Sequence, residues 1–363
     1  MNNYSTFFTN YTIGVNIYSE VEAICSPYGK RIFLLGGQTA LQQGEEALKA
    51  AIKNTSLEII EAKVYGKECT FAIIDEWVNN ARALKVDMIF GMGGGKALDT
   101  AKAVASKLKL PVFTFPTIAS TCAATTALSV VYKDDGDFDQ FEFFDRPAQH
   151  SFIDMTIIAN APAKYLRAGM GDTIAKYFEC HLASRNDSLE HSSLLGRTIS
   201  NNCYFPVIEH GIKAYEDCLS HRISYELEQV VLANIVTTGM VSVLVIDDYN
   251  CAIAHSVYYG LVLLEGFEEK YLHGDAVAYG VLVQLALDDD IEAFNEVREF
   301  MRSLHMPTTL EEMQIKLDRY ALDKVLEEIE NGPDMMHLPY KVDKEMIYEA
   351  MKKVEEKTWI NNK

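Results

Sequence analysis

The chain has 363 residues, which is more than one hydrophobic core usually supports, so its length predicts two domains. Its 52 acidic and 33 basic residues give a formal net charge of −19, which argues against nucleic acid and anionic membrane surfaces as partners. No signal-peptide pattern, no unbroken apolar run of about 18 residues and no metal-type or disulfide-type cysteine spacing is found, so we expect a cytoplasmic protein with reduced thiols.

The first half of the chain alternates between short apolar runs and stretches with helical spacing, a pattern that predicts a parallel sheet built from βαβ units. Four runs rich in β-branched residues are the predicted strands: RIFLLGG (31–37), SLEIIEAKVYG (56–66), VDMIFGMGG (86–94) and LPVFTFPT (110–117). The runs ALSVVY (127–132) and FIDMTIIA (152–159) are predicted to extend this sheet, with the acidic turn KDDGDFD (133–139) between them.

After residue 160 the spacing becomes helical and no alternating strand pattern returns. Helical spacing runs from KYLRAGMGDTIAKYFECHLA through EEMQIKLDRYALDKVLEEI (311–329) to MIYEAMKKVEE. We therefore predict an α/β domain over residues 1–160 and an all-α domain over residues 161–363. A cleft between two such domains is the expected place for a ligand.

The stretch GMGGGKALDTAK (91–102) lies where a predicted strand ends and a helix begins. It matches neither a Walker loop nor the dinucleotide fingerprint, which fails at Lys96. Glycines at such a junction let backbone N–H groups approach a phosphate, so we predict that Gly93, Gly94 and Gly95 line a pyrophosphate with Lys96 beside them. The alternative is a tight turn that binds nothing.

The next loop, in FPTIASTCAATTALSVVY (115–132), is small and hydroxylated, which suits a segment passing close to a ligand. A turn that satisfies its own backbone has the same composition. In the helical half, Asp172 is predicted at a helix start, and His255 and His273 lie in apolar stretches. Taken singly, they read as a helix cap and two core histidines. Taken together, they match a divalent metal site with three protein ligands.

Five motifs in order resemble the glycerol dehydrogenase branch of the iron-containing (group III) alcohol dehydrogenase family: GGGKALDTAK, PTIASTxAxxxALSVVY, AGMGDTIAKYFE, AIAHSVYYGL and YLHGDAVAYG. Within that branch the loop around Cys122 is most similar to those of bacterial hydroxycarboxylate dehydrogenases. The resemblance implies a Rossmann-like N-terminal domain and an all-α C-terminal domain, the fold shared with dehydroquinate synthase. It also implies dinucleotide contacts at Gly95, Lys96, Asp99, Thr117, Ser120, Thr126, Leu128 and Tyr132, and metal ligands at Asp172, His255 and His273.

Two positions depart from the family pattern. Tyr258 stands where many members carry a second histidine, and Lys176 stands where members with a fourth ligand place one. A three-ligand zinc site is therefore favoured, although one carboxylate and two imidazoles also accept iron or nickel. By the same resemblance we expect a homo-oligomer.

These features predict a metal-dependent oxidoreductase that transfers hydride between a nicotinamide and a small substrate. The second strand ends in Gly36, Gly37 and Gln38 without the carboxylate of NAD-selective enzymes, so NADP(H) is favoured over NAD(H). Cys122 stands where glycerol dehydrogenases have an Asp that can accept hydrogen bonds from a polyol. This replacement favours 2-oxo acids as substrates, and polyol oxidation is the alternative. A dehydroquinate synthase-like cyclase is a weaker rival, because few basic residues surround the metal motifs. A non-catalytic binding protein is weaker still.

Overall fold

The computed structural model describes residues 5–356, and the chain divides into two compact units. Unit 1 contains the chain up to Pro162 together with Asp217–Ile223. Unit 2 contains Ala163–Glu216 and the chain from Ser224 onward. The main division lies near the boundary predicted at residue 160, but the return of 217–223 to unit 1 has no counterpart in the sequence pattern.

The described residues of unit 1 form an α/β structure with eight strands. The strands are β1 (Asn10–Gly14), β2 (Arg31–Gly36), β3 (Glu58–Val64), β4 (Met88–Gly93), β5 (Val112–Pro116), β6 (Leu128–Tyr132), β7 (Phe138–Phe143) and β8 (His150–Asp154). Six of them form one parallel sheet in the order β1-β8-β5-β4-β2-β3. The helices are α1 (Val21–Cys25), α2 (Gln38–Ile52), α3 (Phe71–Leu84), α4 (Gly95–Leu108) and α5 (Met155–Asn160).

Both faces of the parallel sheet are covered, which explains why its strands read as continuous apolar runs. Successive residues of β2 point to opposite faces, so Ile32 and Leu34 enter one buried cluster with α1 and α2, whereas Phe33 and Leu35 enter the other with α3 and α4. The four predicted strands from 31 to 117 and the helices between them are confirmed.

The strand order reverses between β2 and β4, because the chain leaves β2 toward β3 on one side and leaves β4 toward β5 on the other. The carboxyl ends of these two strands lie side by side, with the Gly37 N–H donating to the Met92 carbonyl oxygen at 3.1 Å. In open α/β sheets this switch point is where ligands bind.

Two strand predictions in unit 1 were only partly correct. The run 127–132 does not extend the main sheet, because the acidic turn reverses the chain and β6 pairs antiparallel with β7 in a separate hairpin. The run 152–159 is a strand only to Asp154, whose side chain accepts the Thr156 N–H at 2.8 Å and caps α5.

Unit 2 is helical, and its described residues contain no strand, which confirms the predicted fold class. Its helices are α6 (Ala163–Ala183), α7 (His191–Ile199), α8 (Phe205–Leu219, which ends in unit 1), α9 (Tyr225–Leu232), α10 (Thr238–Leu244), α11 (Ile253–Leu261), α12 (Phe267–Lys270), α13 (His273–Leu287), α14 (Ile291–Ser303), α15 (Asp323–Asn331) and α16 (Lys344–Glu355). By length and composition alone Tyr225–Leu244 could cross a membrane, but 61% of its most apolar window is buried in the fold, as in a core helix.

The predicted helix over 311–329 was wrong in its first half, since helix forms only from Asp323. The Glu355 carboxylate accepts the backbone N–H groups of Leu310 and Glu311. The Asp318 carboxylate accepts the backbone N–H groups of Tyr320 and Ala321. These two carboxylates hold the segment in turns in place of a helix.

Candidate functional site

The predicted phosphate-binding turn joins the end of β4 to the start of α4. Gly93 has a φ of +150°, which L side chains rarely adopt. Gly94 is the N-cap of α4 and makes no side-chain cap, so the N–H groups of the first turn stay outside the helix's own hydrogen bonds. A helix N-terminus of this kind attracts an anion. The turn therefore fits a phosphate.

The predicted loop after β5 packs against this turn. The Thr117 N–H donates to the Gly93 carbonyl oxygen at 3.1 Å. A Cβ on Gly94 would approach Ile118 Cδ1 to 2.6 Å, so a larger residue at position 94 would require the Ile118 side chain to move. Ser120 lies in the same loop and is partly buried.

Two of the predicted dinucleotide contacts, Lys96 and Tyr132, meet each other. The Lys96 ammonium lies 4.8 Å from the centre of the Tyr132 ring and 2.5 Å from Glu68 Oε2. Glu68 was not predicted from the sequence, where it is an ordinary acidic residue in the loop after β3. It holds the lysine beside the turn and offsets its charge.

Three other predicted contacts, Asp99, Thr126 and Leu128, converge on a residue that sequence reasoning missed. The Lys102 ammonium lies 3.0 Å from Asp99 Oδ1 and 3.1 Å from Thr126 Oγ1, and it donates to the Leu128 carbonyl oxygen. These polar groups therefore face a buried cation. A lysine three residues after an aspartate on a helix usually indicates a solvated ion pair, which is why the pattern gave no signal.

Gly36, predicted to lie near the cofactor ribose, has no room for a side chain. A Cβ there would lie 2.7 Å from Leu41 Cδ2 and 2.8 Å from the Met92 carbonyl oxygen. At Gly37, the N-cap of α2, the nearest atom to a Cβ would be that of Ala40 at 3.7 Å. Position 37 therefore has space for a side chain, whereas position 36 does not.

Cys122, the predicted substrate residue, lies in a hydrogen-bonded turn and is partly exposed. Its carbonyl oxygen accepts the Thr125 N–H at 2.9 Å and the Thr125 hydroxyl at 3.1 Å. The preceding residue, Thr121, places its hydroxyl 3.4 Å from where a Cβ on Gly95 would stand. The loop that carries Cys122 thus lies beside the first turn of α4.

In unit 2, glycines let three helices cross at very short range. A Cβ on Gly171 of α6 would lie 2.3 Å from the Gly274 carbonyl oxygen of α13. One on Gly274 would lie 1.8 Å from the Ala168 carbonyl oxygen, and one on Gly280 would lie 2.3 Å from that of Ala254 in α11. These crossings bring together the helices that carry the three predicted metal ligands.

The predicted ligands Asp172, His255 and His273 converge. Asp172 Oδ1 lies 3.4 Å from Nε2 of each histidine, and the three donor atoms lie within 4.8 Å of one another. Charge-assisted hydrogen bonds are shorter, about 2.7–2.9 Å. The edge of a tetrahedron around a metal with bonds of about 2.1 Å is roughly 3.4 Å, so the spacing fits a divalent metal. The His273 side chain is 36% exposed, which leaves access from one side.

Behind His255 lies Glu179, a completely buried carboxylate that sequence reasoning missed. Its Oε2 lies 2.6 Å from His255 Nδ1, and its Oε1 accepts the N–H groups of Ala252 and His255 at 2.8 Å each. A carboxylate on Nδ1 fixes the tautomer that leaves Nε2 free to bind a metal. The available signal was spacing, because Glu179 follows Asp172 by seven residues, about two helical turns.

The charges of this cluster favour a cation. Burial alone would raise the pKa of the Asp172 carboxyl, but the neighbouring His255 and His273 rings hold that pKa well below its usual range. Burial alone would lower the pKa of His255, but Cys251, Glu179 and Asp172 raise it well above its ordinary value. A positive charge is therefore stabilised between these groups, and a divalent metal supplies one.

The prediction that Asp172 stands at a helix start was wrong. Asp172 lies within α6, so it is not an N-cap. Gly171 does not break the helix, because the backbone of α13 packs directly against it. The neighbouring Thr173 hydroxyl donates to Asn234 Oδ1 at 3.0 Å. Asn234 belongs to a π-helical turn at Ala233–Thr237. Such turns are frequent at functional sites.

The two residues that depart from the family pattern are engaged elsewhere. Lys176 is buried, and its ammonium donates to the Asn250 carbonyl oxygen at 2.6 Å and to Asn250 Oδ1 at 3.1 Å. The Tyr258 hydroxyl donates to Glu268 Oε1 at 2.8 Å, and its ring lies edge-on to the His273 ring at 4.4 Å. Neither offers a metal ligand in this arrangement, which leaves three protein donors.

Comparison with known proteins yields consistent matches. A family model described as iron-containing alcohol dehydrogenase matches residues 9–154. The chain is 30% identical to glycerol dehydrogenase of Escherichia coli O6:H1 over 94% of this chain and 93% of that protein. It is 37% identical to hydroxycarboxylate dehydrogenase A of Escherichia coli K12 over 74% and 75%. The crystal structure of glycerol dehydrogenase from Schizosaccharomyces pombe matches with a TM-score of 0.88 and 26% identity, covering 98% of this chain and 91% of that one.

Proposed function

Since the chain belongs to the iron-containing alcohol dehydrogenase family, and is thereby an NAD(P)-linked oxidoreductase, we propose that it reduces small 2-oxo acids to 2-hydroxy acids with NADPH. The observation that carries the choice of substrate is Cys122, a neutral side chain in the loop beside the first turn of α4. The proposal has three parts: the metal, the dinucleotide and the substrate.

Asp172, His255 and His273 would hold one divalent metal, with zinc favoured because this group, among the described residues, offers one carboxylate and two imidazoles. Such a metal supplies Lewis acidity, and a nicotinamide supplies or accepts the hydride. Glu179 keeps the His255 proton on Nδ1. The exposed side of His273 leaves room for a substrate to enter.

The dinucleotide would bind at the switch point of the sheet in unit 1. The first turn of α4 offers backbone N–H groups to the pyrophosphate, with Lys96 beside them. Between Gly36 and Gln38 there is no carboxylate to repel a 2′-phosphate, which supports a preference for NADP(H).

The substrate proposal follows from charge. An Asp at position 122, as in glycerol dehydrogenases, would accept hydrogen bonds from a polyol and repel an anion. Cys122 brings no charge and accepts hydrogen bonds poorly, so an anionic 2-oxo acid meets less repulsion and glycerol loses a partner. The relative named hydroxycarboxylate dehydrogenase A supports this choice. Glycerol oxidation is the second candidate, supported by the relatives named glycerol dehydrogenase.

Steady-state kinetics test the proposal. The zinc-loaded protein is assayed with 2-oxobutanoate and related 2-oxo acids, with NADPH and NADH in parallel, and with glycerol in the oxidative direction. We expect the highest kcat/KM for a 2-oxo acid with NADPH. A higher kcat/KM for glycerol than for every 2-oxo acid would reject the substrate, and Cys122→Asp should weaken 2-oxo acid reduction while Cys122→Ser, the uncharged control, should not. Cytoplasmic location, self-association and the absence of nucleic-acid or membrane partners stay predictions.

A further inference from the structure

Lys102 has no part in the mechanism above, yet its side chain is only 1% exposed. It lies on α4, two turns after the phosphate-binding turn. Burying an ammonium group is costly unless charges and hydrogen bonds replace its water. The groups that surround Lys102 must therefore compensate for the burial of its ammonium group.

Those partners come from α4, from the loop before β6 and from the start of β6. Asp99 Oδ1, on the same helix, lies 3.0 Å from the ammonium. Thr126 Oγ1 lies 3.1 Å away, and the Leu128 carbonyl oxygen accepts a further hydrogen bond. The other Asp99 oxygen, Oδ2, accepts the Val130 N–H at 3.3 Å. The ion pair thus fastens the start of β6 and the loop before it to α4.

We propose that Lys102 is the positioning residue of the dinucleotide site. It holds the segment 126–130 against α4, and this segment belongs to the loop that the family resemblance assigns to the cofactor. Asp99, which contacts Lys102 and the Val130 N–H, acts on the cofactor through this segment. The inference rests on the proposed dinucleotide site. A loop that is already ordered binds more tightly than one that has to be ordered on binding.

The test measures the dissociation constant of NADPH by quenching of protein fluorescence in Lys102→Met, Asp99→Asn and the double variant. The double variant removes both buried charges together, so it keeps the experiment informative if Lys102→Met alone leaves Asp99 unpaired and fails to fold. Lys107→Met is the control, because Lys107 lies on the same helix with an exposed partner, Asp75. Metal content, the thermal midpoint, KM and kcat are measured on each.

We expect the folded Lys102 variants to bind NADPH roughly ten- to a hundredfold more weakly, the scale of losing hydrogen bonds to a charged group. KM for NADPH should rise while kcat at saturation and metal content stay unchanged. The Asp99→Asn and Lys102→Met effects should not add, because they break one unit. A wild-type dissociation constant in the double variant, or additive effects, would overturn the inference. Failure of the wild-type protein to bind either nucleotide would instead reject the proposed function.

Discussion

Glycine serves the two units in different ways. In unit 1, Gly93 adopts a φ of +150° and Gly94 begins α4 against the Ile118 side chain, so the two glycines shape the turn at the end of a strand. In unit 2, Gly171, Gly274 and Gly280 lie within helices, and the space of their missing side chains is filled by the backbone of another helix. The same residue shapes the turn of one site and brings together the helices of the other. The role of each glycine depends on which atoms pack against it in the folded chain, and the sequence alone does not show these contacts.

Removing a ligand should break the unit 2 site most completely. We expect His273→Ala to lose its bound metal and to reduce turnover by at least about a thousandfold, because two ligands cannot hold the metal tightly. NADPH binding to unit 1 should persist. Metal analysis and stopped-flow assays check this, with the exposed His191→Ala as the matched control. Retention of one metal per chain with full activity would contradict the ligand assignment.

Filling a helix crossing should affect stability next. A Cβ in Gly274→Ala would lie 1.8 Å from the Ala168 carbonyl oxygen, so α6 and α13 must separate. We expect a loss of about 3 kcal/mol in the free energy of unfolding, with weaker metal binding. Gly37→Ala is the control from unit 1, where the nearest atom is 3.7 Å away. Urea unfolding compares them, and equal stability of the two variants would refute the packing role.

The hydrogen bond behind His255 should matter less than the ligands. Glu179→Gln keeps the shape of the side chain and one acceptor oxygen for the two backbone N–H groups, but its NH2 group then faces His255 Nδ1 and no longer holds the proton there. We expect metal affinity to fall roughly ten- to a hundredfold. Chelator competition measures this, with the exposed Glu209→Gln as control. Unchanged affinity would mean that the backbone hydrogen bonds alone orient His255.

The smallest expected effect is a change in the cofactor preference of unit 1. Gly37→Asp places a carboxylate at the end of β2, which should move preference from NADPH toward NADH by about tenfold. A carboxylate at position 36 could not serve, because a side chain there meets Leu41 and Met92. Gly37→Asn is the neutral control with the same size. An equal shift in both variants would exclude charge as the cause.

The difference between the units also explains what the sequence could predict. The strands from 31 to 117 and the glycine turn were predictable because the patterns that indicate them are local. Each apolar run, the turn after it and the start of the next helix lie close together in the chain. The metal ligands come from three distant helices, so single residues suggested only a cap and two core histidines, and the family resemblance brought them together.

The residues that were missed share one physical cause. Glu179 and Lys102 are charged residues on helices, and such residues ordinarily face solvent. Only tertiary packing buries them, Glu179 against His255 and Lys102 against Thr126. Asp172 was misplaced for a related reason, because two nearby glycines suggest a helix start unless the helix that packs against them is known.

The long helix α6 sets a geometric condition on unit 2. Asp172 and Glu179 are seven residues apart, and at about 100° per residue they differ by only about 20° in direction. Asp172 is the predicted metal ligand, and Glu179 makes the hydrogen bond to His255. Both therefore have to point in nearly the same direction from the helix axis. One residue inserted between them would rotate Glu179 by about 100° relative to Asp172 and separate ligand from support, even though every side chain was still present.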